Sequence, residues 1–320
     1  SVTIPRRPAT APAAPSALRP GARLILVGDA DQLVSVDAGA VLADLVAGAE
    51  HAGGGGPLLA LARLRTVHRF GETIGTLAEA LRTGDADAVI RALEADSEEV
   101  EWLRDADDGG VLRPILTGHA LQVLEAARAG DAAAATRALG AHRLLCAHRD
   151  GPFGVRTWNR YTETWLAEDT GLTFYDPVYV GRPLLVTAND YATGVLNGDT
   201  GVIVASSTPD GTPVRVAVIE GAAGAQRFAP SRLGEIETMH AMTIHKAQGS
   251  QAAEITVLLP DEDSPLLTRE LFYTAVTRAE QRVRVVASEA VIRAAVERRV
   301  VRASGLRGRL NTVTDDPALS

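Results

Sequence analysis

The chain has 320 residues, of which 46% are hydrophobic and 22% are charged, and its net charge is −8. This composition is typical of a globular protein with two domains, or with one domain that carries a large insertion. A single cysteine, Cys146, excludes an internal disulfide, and no apolar run approaches the roughly 20 residues that span a bilayer. We therefore expect a cytoplasmic protein without membrane contacts, whose overall charge does not favour nucleic-acid binding.

The first 60 residues predict a disordered start followed by one strand and one helix. Residues 1–20 contain five prolines and no periodicity. The apolar run at 22–29 is typical of a buried parallel strand that delivers a loop at its carboxyl end, and residues 38–49 have the pattern of a short helix. In the loop, Gln32 could orient a water molecule or contact a terminal phosphate. The alternative, which this motif alone favours, is an ordinary turn with Asp29 as the helix cap.

Helical patterns dominate the next stretch. An amphipathic helix is predicted from Thr73, with its apolar side chains on one face and Gly84 at its end. Two further amphipathic segments follow. Residues 142–150 then predict a buried strand, and residues 157–169 predict a helix that Thr157 caps.

The composition becomes β-rich at about Tyr179. Short apolar runs are separated by turn sequences, of which Pro209-Asp210-Gly211 is a strong hairpin signal. Regular short strands of this kind predict a small barrel of about 50 residues. After Arg232 the α/β pattern returns, with strands predicted at 254–260 and 281–288. The simplest organisation is therefore a β-module inserted into an α/β domain.

The sequence TIHKAQGSQ at 243–251 contains Lys246, which is the only lysine of the chain. Thr243, His245 and Lys246 are donors suited to a nucleic-acid backbone. Gly249 indicates close backbone approach at a helix start. A lone histidine on such a turn is most often structural. No metal site is expected, because the chain has no spaced set of His and Cys residues.

Arginines supply the remaining candidate phosphate contacts. Arg278 lies at the end of a predicted amphipathic helix, where it could reach across an interface to a γ-phosphate, or simply complement the helix dipole. Arg69, taken alone, indicates a surface charge or an ion pair. From Arg278 to Arg309, nine arginines stand against three glutamates. This excess fits a phosphate-facing surface and a solvated helix equally well.

Four motifs occur in the order found in superfamily 1 DNA helicases. VGDADQL at 27–33 resembles motif III, TVHR at 66–69 motif IV, TIHKAQGSQ motif V, and FYTAVTRA at 272–279 motif VI. The stretches LLCAHRDGPFGV at 144–155 and RPLLVTANDYATGVLNGDTGVI at 182–203 make the likeness greatest to the RecD family, the exodeoxyribonuclease V alpha subunits. The resemblance covers about residues 20–300.

This resemblance implies an α/β architecture with two RecA-like motor domains of the P-loop NTPase type and an inserted SH3-like β-barrel. The implied organisation is a disordered segment at 1–20, a remnant of the first motor domain at 21–60, the second motor domain at 61–178 and 233–310, the barrel at 179–232, and a tail at 311–320.

The resemblance also implies roles by motif position. The nucleotide contacts would be Gly28, Asp29, Gln32, Arg69, Gly249, Gln251 and Arg278. Among these, Gln32 would sense the γ-phosphate, while Arg69 and Arg278 would stabilise charge in the transition state, so these three would be catalytic. The DNA contacts would be Thr243, His245, Lys246, Asn189 and Asn197.

Two departures from the family pattern affect the expected activity. Gln251 stands where motif V commonly has Glu, although an amide can still bind a ribose hydroxyl. Lys246 is flanked by His and Ala, so the chain has no Walker A loop, and no acidic pair precedes residue 22. We therefore expect the C-terminal portion of a helicase without Walker A and Walker B, inactive by itself. ATP and Mg²⁺ would be bound mainly by a missing N-terminal half.

The function implied is that of a 5′–3′ ATP-dependent DNA helicase, the RecD-type subunit of a RecBCD-type exonuclease V in double-strand-break repair. Its partners would be single-stranded DNA and RecB- and RecC-like subunits. Two alternatives remain at this point. One is a non-catalytic fragment that binds single-stranded DNA or other subunits. The other is a stand-alone RecD-like or conjugative helicase without nuclease partners.

Overall fold

The computed structural model describes residues 24–33, 42–46, 61–62, 71–95, 97–104, 110–221, 224–261 and 263–300. The chain divides into two compact units. Unit 1 comprises Ser1–Val67 with Val300–Ser320, and unit 2 comprises His68–Arg299. The segments predicted as a disordered start (1–20) and a tail (311–320) lie outside the described residues.

The described part of unit 1 contains one helical stretch, α1, at 42–46, within the helix predicted at 38–49. The strand predicted at 22–29 is wrong for the residues described, 24–29, which have no regular structure. Ile25 and Val27 are exposed. A parallel strand needs neighbours that bind its backbone and cover both faces, and the described part of unit 1 supplies no such strand.

Unit 2 is built on a five-stranded parallel sheet with the order β1-β10-β9-β2-β8. The strands are β1 (Val100–Leu103), β2 (His142–Cys146), β8 (Ala241–Thr243), β9 (Ala252–Leu258) and β10 (Ala279–Val286). Strand β2 occupies the first part of the predicted segment 142–150 and is buried throughout. The predicted strands at 254–260 and 281–288 are confirmed with small shifts of their ends.

Seven helices accompany this sheet within the described part of unit 2. They are α2 (Glu72–Thr83), α3 (Ala86–Glu94), α4 (Leu112–Arg128), α5 (Ala132–Ala141), α6 (Val155–Thr170), α7 (Arg269–Val276) and α8 (Glu289–Glu297). The amphipathic pattern from Thr73 is confirmed, because Ile74 and Leu77 are buried on the inner face of α2. Gly84 ends that helix with a φ of 78°, a conformation that glycine adopts without steric cost.

The predicted cap of α6 is wrong. Helix α6 begins at Val155 after the extended Gly154, and the Thr157 hydroxyl lies inside the helix, where it donates to the Gly151 carbonyl oxygen. The first N–H groups of the helix, those of Val155 and Arg156, donate instead to backbone carbonyls of the preceding loop. Backbone acceptors therefore satisfy the groups that a side-chain cap would otherwise bind.

A second sheet of five antiparallel strands has the order β6-β5-β4-β3-β7. Its strands are β3 (Pro183–Val186), β4 (Thr200–Ser207), β5 (Pro213–Gly221), β6 (Gly224–Phe228) and β7 (Ile236–Thr238). Leu184, Ile203 and Ile219 form the centre of its own core. The last strand lies beyond Arg232, the predicted end of the inserted module. A short turn of only two residues joins β7 to β8 of the parallel sheet.

The parallel sheet has a separate core. Leu144 and Cys146 of β2 pack with Leu112 and Leu116 of α4 and with Trp158 of α6. Strand β1, at the edge of this sheet, was not predicted, and its four residues are too few to give a clear alternating pattern. Within the described ranges, no helix is both long enough and apolar enough to cross a bilayer.

Two glycine substitutions with the same chemical change should have opposite effects on stability. A Cβ atom at Gly201, in β4, would lie 2.1 Å from the Val218 carbonyl oxygen. We expect Gly201→Ala to lower the free energy of unfolding by about 1–3 kcal/mol, because the paired strands must separate.

The matched control is Gly118→Ala, in the interior of α4, where nothing lies within 4 Å of the added methyl group. We expect this variant to be more stable by about 0.5–1 kcal/mol. Urea denaturation measures both values. Equal effects of the two variants would contradict the observed packing of β4 against β5.

Candidate functional site

Strands β9 and β10 are parallel neighbours, so the residues that precede them lie at the same edge of the sheet. Ala252 of β9 pairs with Ala279 of β10, so the preceding residues, Gln251 and Arg278, are neighbours at the start of the two strands. Arg278 is buried. Its Nε donates to the Thr274 carbonyl oxygen at 3.1 Å, and one terminal nitrogen donates to the Ser250 carbonyl oxygen at 3.4 Å. We call Gly249, Ser250, Gln251 and Arg278 the arginine corner.

Two features of the arginine corner are suited to a ligand. The Nε2 atom of Gln251 is buried and has no hydrogen-bond partner among the described residues. A buried donor without an acceptor costs about 1–3 kcal/mol, which a ligand oxygen could remove. Gly249 has a φ of 86°, and nothing lies within 4 Å of where its Cβ would be. The glycine is therefore required by the backbone conformation, and the space beside it is open.

The motif III residues lie in unit 1. The carboxylate of Asp29 accepts hydrogen bonds from the Asp31 N–H at 3.0 Å and from Gln32 Nε2 at 2.8 Å. Asp29 thus organises this turn through residues two and three positions later, and the helix cap suggested by the simpler interpretation is not seen in the described residues. A Cβ on Gly28 would lie 2.6 Å from Cδ2 of Leu42, so the absence of a side chain permits close approach of α1. Arg69 lies outside the described residues.

The opposite edge of the parallel sheet carries the predicted DNA contacts of motif V. Thr243 ends β8, and its buried hydroxyl accepts the Lys246 backbone N–H at 3.2 Å, which shapes the turn. His245 is half-buried in the same turn. The Lys246 ammonium donates to one oxygen of Glu237, in β7, at 2.8 Å. Motif V therefore joins the parallel sheet to the antiparallel sheet through an ion pair.

A second cation shares the Glu237 carboxylate. Arg149, in the turn after β2, donates to the other oxygen at 2.6 Å. Partial burial raises the pKa of Glu237, but the hydrogen bond from Lys246 and the charges of Lys246, Arg149 and Arg156 lower it further than burial raises it. Glu237 is consequently ionised near neutral pH. Strands β2 and β8 are neighbours, so the two cations come from adjacent strand ends.

The structure brings Asn189 and Asn197 together. Both lie in the exposed loop between β3 and β4, where the Asn197 N–H donates to the Asn189 side-chain oxygen at 2.8 Å. The Asn189 amide nitrogen in turn donates to the hydroxyl of Tyr191 at 3.2 Å. Tyr191 is 81% exposed. The loop therefore presents an aromatic ring next to two amides, a combination suited to an unstacked base.

The arginine-rich stretch is not a free basic surface where it is described. Arg284 is buried and binds Glu101 at 2.7 Å and Glu254 at 2.6 Å across three adjacent strands. The other arginines from Arg278 to Arg299 also have protein partners, which are Thr274 and Ser250 for Arg278, Glu98 for Arg282, Asp87 and Glu289 for Arg293, Ser264 for Arg298, and Glu270 for Arg299. Three of the arginines in this stretch, Arg284, Arg293 and Arg299, pair with carboxylates of the same unit.

A polar network fixes the connection between the two sheets. The Tyr179 hydroxyl donates to Glu163 of α6 at 3.0 Å and lies 3.0 Å from Nε2 of His240. His240 stands in the turn between β7 and β8. On the same helix, Asn159 donates to the Thr238 carbonyl oxygen at 2.9 Å and accepts the Ala241 N–H at 2.8 Å. Helix α6 thus binds both ends of the connecting turn.

Comparison with known proteins shows which families these segments resemble. A UvrD-like helicase C-terminal domain matches residues 238–286, which include the arginine corner and motif V, and an AAA domain matches residues 11–105. RecBCD enzyme subunit RecD of Mycobacterium tuberculosis is 60% identical over 296 residues, 92% of the chain. Over most of its length, the chain is thus closely similar in sequence to a RecD subunit. It spans about half the length of that RecD subunit, 50%.

Two more distant proteins are also similar. The ATP-dependent RecD2 DNA helicase of Deinococcus radiodurans is 27% identical over 283 residues, which are 83% of this chain and 33% of that protein. Among solved structures, the Pif1 helicase from Bacteroides is 13% identical with a TM-score of 0.38, covering 81% of this chain and 57% of that chain.

Three residues that lie beside the candidate site residues were not predicted from the sequence. Arg149 follows a buried strand within LLCAHRDGPFGV, and a cation at the carboxyl end of a parallel strand is itself a signal of ligand contact. Tyr191 is an aromatic residue in an otherwise polar turn sequence, NDYATG. Glu237 gave no signal, because its role depends on ion pairs with Lys246 and with Arg149, and Arg149 is 88 residues away in the sequence.

Burial of His240 predicts a pH-dependent stability. Burial, together with the smaller effect of the charge of Arg182, lowers the pKa of this imidazole from 6.5 to about 3. The folded chain therefore binds fewer protons at this site than the unfolded chain between these pH values. The stability due to neutral His240 is complete above pH 6.5 and is lost as the pH falls towards 3, with a slope of up to about 1.4 kcal/mol per pH unit.

We expect His240→Gln to reduce this acid slope, because an amide can donate to Tyr179 but does not titrate. Urea denaturation between pH 7 and pH 4 measures the free energy of unfolding. Tyr179→Phe is the matched control, since it removes the hydroxyl but keeps the imidazole, and it should retain the slope. An equal slope in wild type and His240→Gln would contradict the assignment.

Proposed function

We propose that the chain forms the second motor domain of a 5′–3′ ATP-dependent DNA helicase that acts as the RecD subunit of a RecBCD-type exonuclease V in double-strand-break repair. The observation that carries this proposal is the arginine corner, which joins motif V to motif VI in a chain 60% identical to a RecD subunit. The partners are single-stranded DNA and RecB- and RecC-like subunits, and the location is the cytoplasm.

The nucleotide is ATP with Mg²⁺, held mainly by the part of the helicase that precedes motif III in the relatives. From unit 2, Gln251 donates its buried amide to the nucleotide beside Gly249. Arg278 turns from its backbone acceptors towards the γ-phosphate, where it stabilises the charge of the transition state. Gly28, Asp29, Gln32 and Arg69 complete the site by their motif positions: Gln32 senses the γ-phosphate and Arg69 provides a second cation.

The exposed apolar run at 24–27 supports this division of the nucleotide site. Its sequence is that of a buried parallel strand, yet the described part of unit 1 gives it no partner strand. The chain spans only half the length of its RecD relatives. We infer that the neighbouring strands of the first motor domain come from the other half, and that the chain by itself does not hydrolyse ATP.

The single strand follows the carboxyl edge of the parallel sheet and the neighbouring loop of the antiparallel sheet. His245 and Lys246 contact its backbone, and Thr243 holds the turn that carries them. Asn189 and Asn197 contact it from the β3–β4 loop. We take the antiparallel sheet to be the SH3-like barrel of the family. The net charge of −8 implies that DNA affinity is modest and strongly dependent on salt.

Arg278 provides the test of the motor function. In a full-length protein that joins the N-terminal half of the M. tuberculosis relative to this chain, we expect DNA-stimulated ATP hydrolysis. We expect Arg278→Ala to lower kcat about 10³-fold, because the transition state loses its arginine, with little change in the KM for ATP. Arg278→Lys, which keeps the charge but not the planar fork, should also lose most activity.

Arg293→Ala is the matched control, because Arg293 is an exposed arginine of α8 paired with Asp87 and Glu289. It should retain ATP hydrolysis. Melting temperatures of all variants show whether activity is lost because the fold is destabilised without the backbone contacts of Arg278 or because catalysis itself is impaired. Unchanged hydrolysis in a folded Arg278→Ala protein would refute the proposed role.

Tyr191 provides the test of the DNA path. We expect Tyr191→Ala to weaken binding of an oligo-dT strand by about 1–3 kcal/mol, because one base loses its stacking surface. Fluorescence anisotropy at fixed salt measures the affinity. Tyr175→Ala is the control, since Tyr175 is 96% exposed but lies in the loop after α6. Equal effects of the two substitutions would exclude a specific contact at the β3–β4 loop.

A further inference from the structure

The cluster of Glu237, Arg149 and Lys246 has the form of an occupied anion site. Each oxygen of the Glu237 carboxylate binds a different cation, at 2.6 Å from Arg149 and 2.8 Å from Lys246. The cations come from turns after two adjacent parallel strands, whereas the carboxylate comes from β7 of the other sheet. Two elements of one sheet thus converge on an anion that belongs to a separate module.

The same geometry suits a phosphodiester. A phosphate of a nucleic-acid backbone presents two non-bridging oxygens on one atom, as a carboxylate presents two oxygens on one carbon. Arginine and lysine are the side chains that most often bind such groups. The two cations, spaced to bind the two oxygens of Glu237, therefore suit a backbone phosphate of the DNA strand proposed above.

The internal ion pairs are weak enough to be exchanged. The side chains of Lys246, Glu237 and Arg149 are 27%, 39% and 55% exposed, so water screens both pairs. A phosphate that displaces Glu237 keeps two charge-assisted hydrogen bonds, returns a carboxylate to water and releases counterions from the nucleic acid.

We propose that Arg149 and Lys246 form a phosphate clamp, which Glu237 occupies in the unbound chain and a backbone phosphate of single-stranded DNA takes over. This inference rests on the proposed DNA-binding function. It adds Arg149 as a backbone contact and assigns Glu237 as an internal competitor of DNA.

Substitution of Glu237 gives the first test. We expect Glu237→Gln to tighten binding of an oligo-dT strand of about 16 nucleotides roughly three- to tenfold at low salt. The matched control is Glu94→Gln, which removes one carboxylate paired with Arg104 and changes net charge equally. It should alter affinity less than twofold. If Glu237→Gln does not exceed this control, the proposal is overturned.

Substitution of Arg149 gives the second test. Arg149→Ala should weaken binding and lower the slope of log Kd against log salt by about one. In the Arg149→Ala background, Glu237→Gln should lose most of its tightening effect, since the clamp is already incomplete. Additive effects of the two substitutions would contradict a shared site. Circular dichroism melting curves establish that each variant is folded.

The single lysine allows the clamp to be observed directly. Reductive ¹³C-methylation of the full chain labels Lys246 as the only lysine side chain. We expect its NMR signal to shift in Glu237→Gln, and to shift on addition of oligo-dT or inorganic tripolyphosphate. With Arg149→Ala, the tripolyphosphate shift should be much reduced.

These probes separate failure of the clamp from failure of the proposed function. A chain that binds tripolyphosphate at Lys246 but no DNA would refute the DNA-binding function and retain the phosphate site. A chain that binds DNA without any change at Lys246 would refute the clamp alone. Absence of both responses would refute both.

Discussion

Parallel pairing of neighbouring strands determines where the candidate site residues of unit 2 lie. Because β9 and β10 run side by side in the same direction, the residues before them meet at one edge, and this brings Gln251 next to Arg278. Strands β2 and β8 are also parallel neighbours, so the residues that follow them meet at the opposite edge, and this brings Arg149 near Lys246. The short segment between β8 and β9 crosses from one edge to the other. One stretch of nine residues therefore contributes to both edges, which gives a physical reason why so many candidate site residues lie in motif V.

The antiparallel sheet is attached at the other end of β8, through the turn that joins β7 to β8. The turn between β7 and β8 is held by Asn159 on both sides and by the partly buried His240. Movement of β7 relative to β8 would break these hydrogen bonds, so the connection behaves as a fixed joint rather than as a linker. The Lys246–Glu237 pair is a second connection between the same elements, but it is partly exposed and exchangeable. A ligand at this edge could therefore break the Lys246–Glu237 ion pair while the hydrogen bonds of the β7–β8 turn stay intact.

The sequence predicted most of the parallel-sheet unit because local patterns and tertiary packing agree there. The buried face of α2, the left-handed Gly84 and the fully buried β2 each follow from spacing alone. Prediction failed where the partner was distant or absent. Residues 24–29 have the composition of a strand, but composition does not supply the neighbours that a strand requires. Thr157 has the chemistry of a cap, but the loop before α6 already presents its carbonyl groups to the first turn.

The limit of prediction from sequence is clearest for the charged residues. The excess of arginines after residue 278 looked like a possible phosphate surface, yet Arg284 and Arg293 are bound to carboxylates within the unit. Arg149, in a stretch with no charge excess, is the exposed cation beside motif V. Net charge and local counts measure how many cations are present, whereas binding depends on which of them a ligand can take from an existing partner. An exposed arginine and a partly exposed lysine on one exchangeable carboxylate therefore matter more for DNA binding by an acidic chain than several arginines in buried or multiply paired sites.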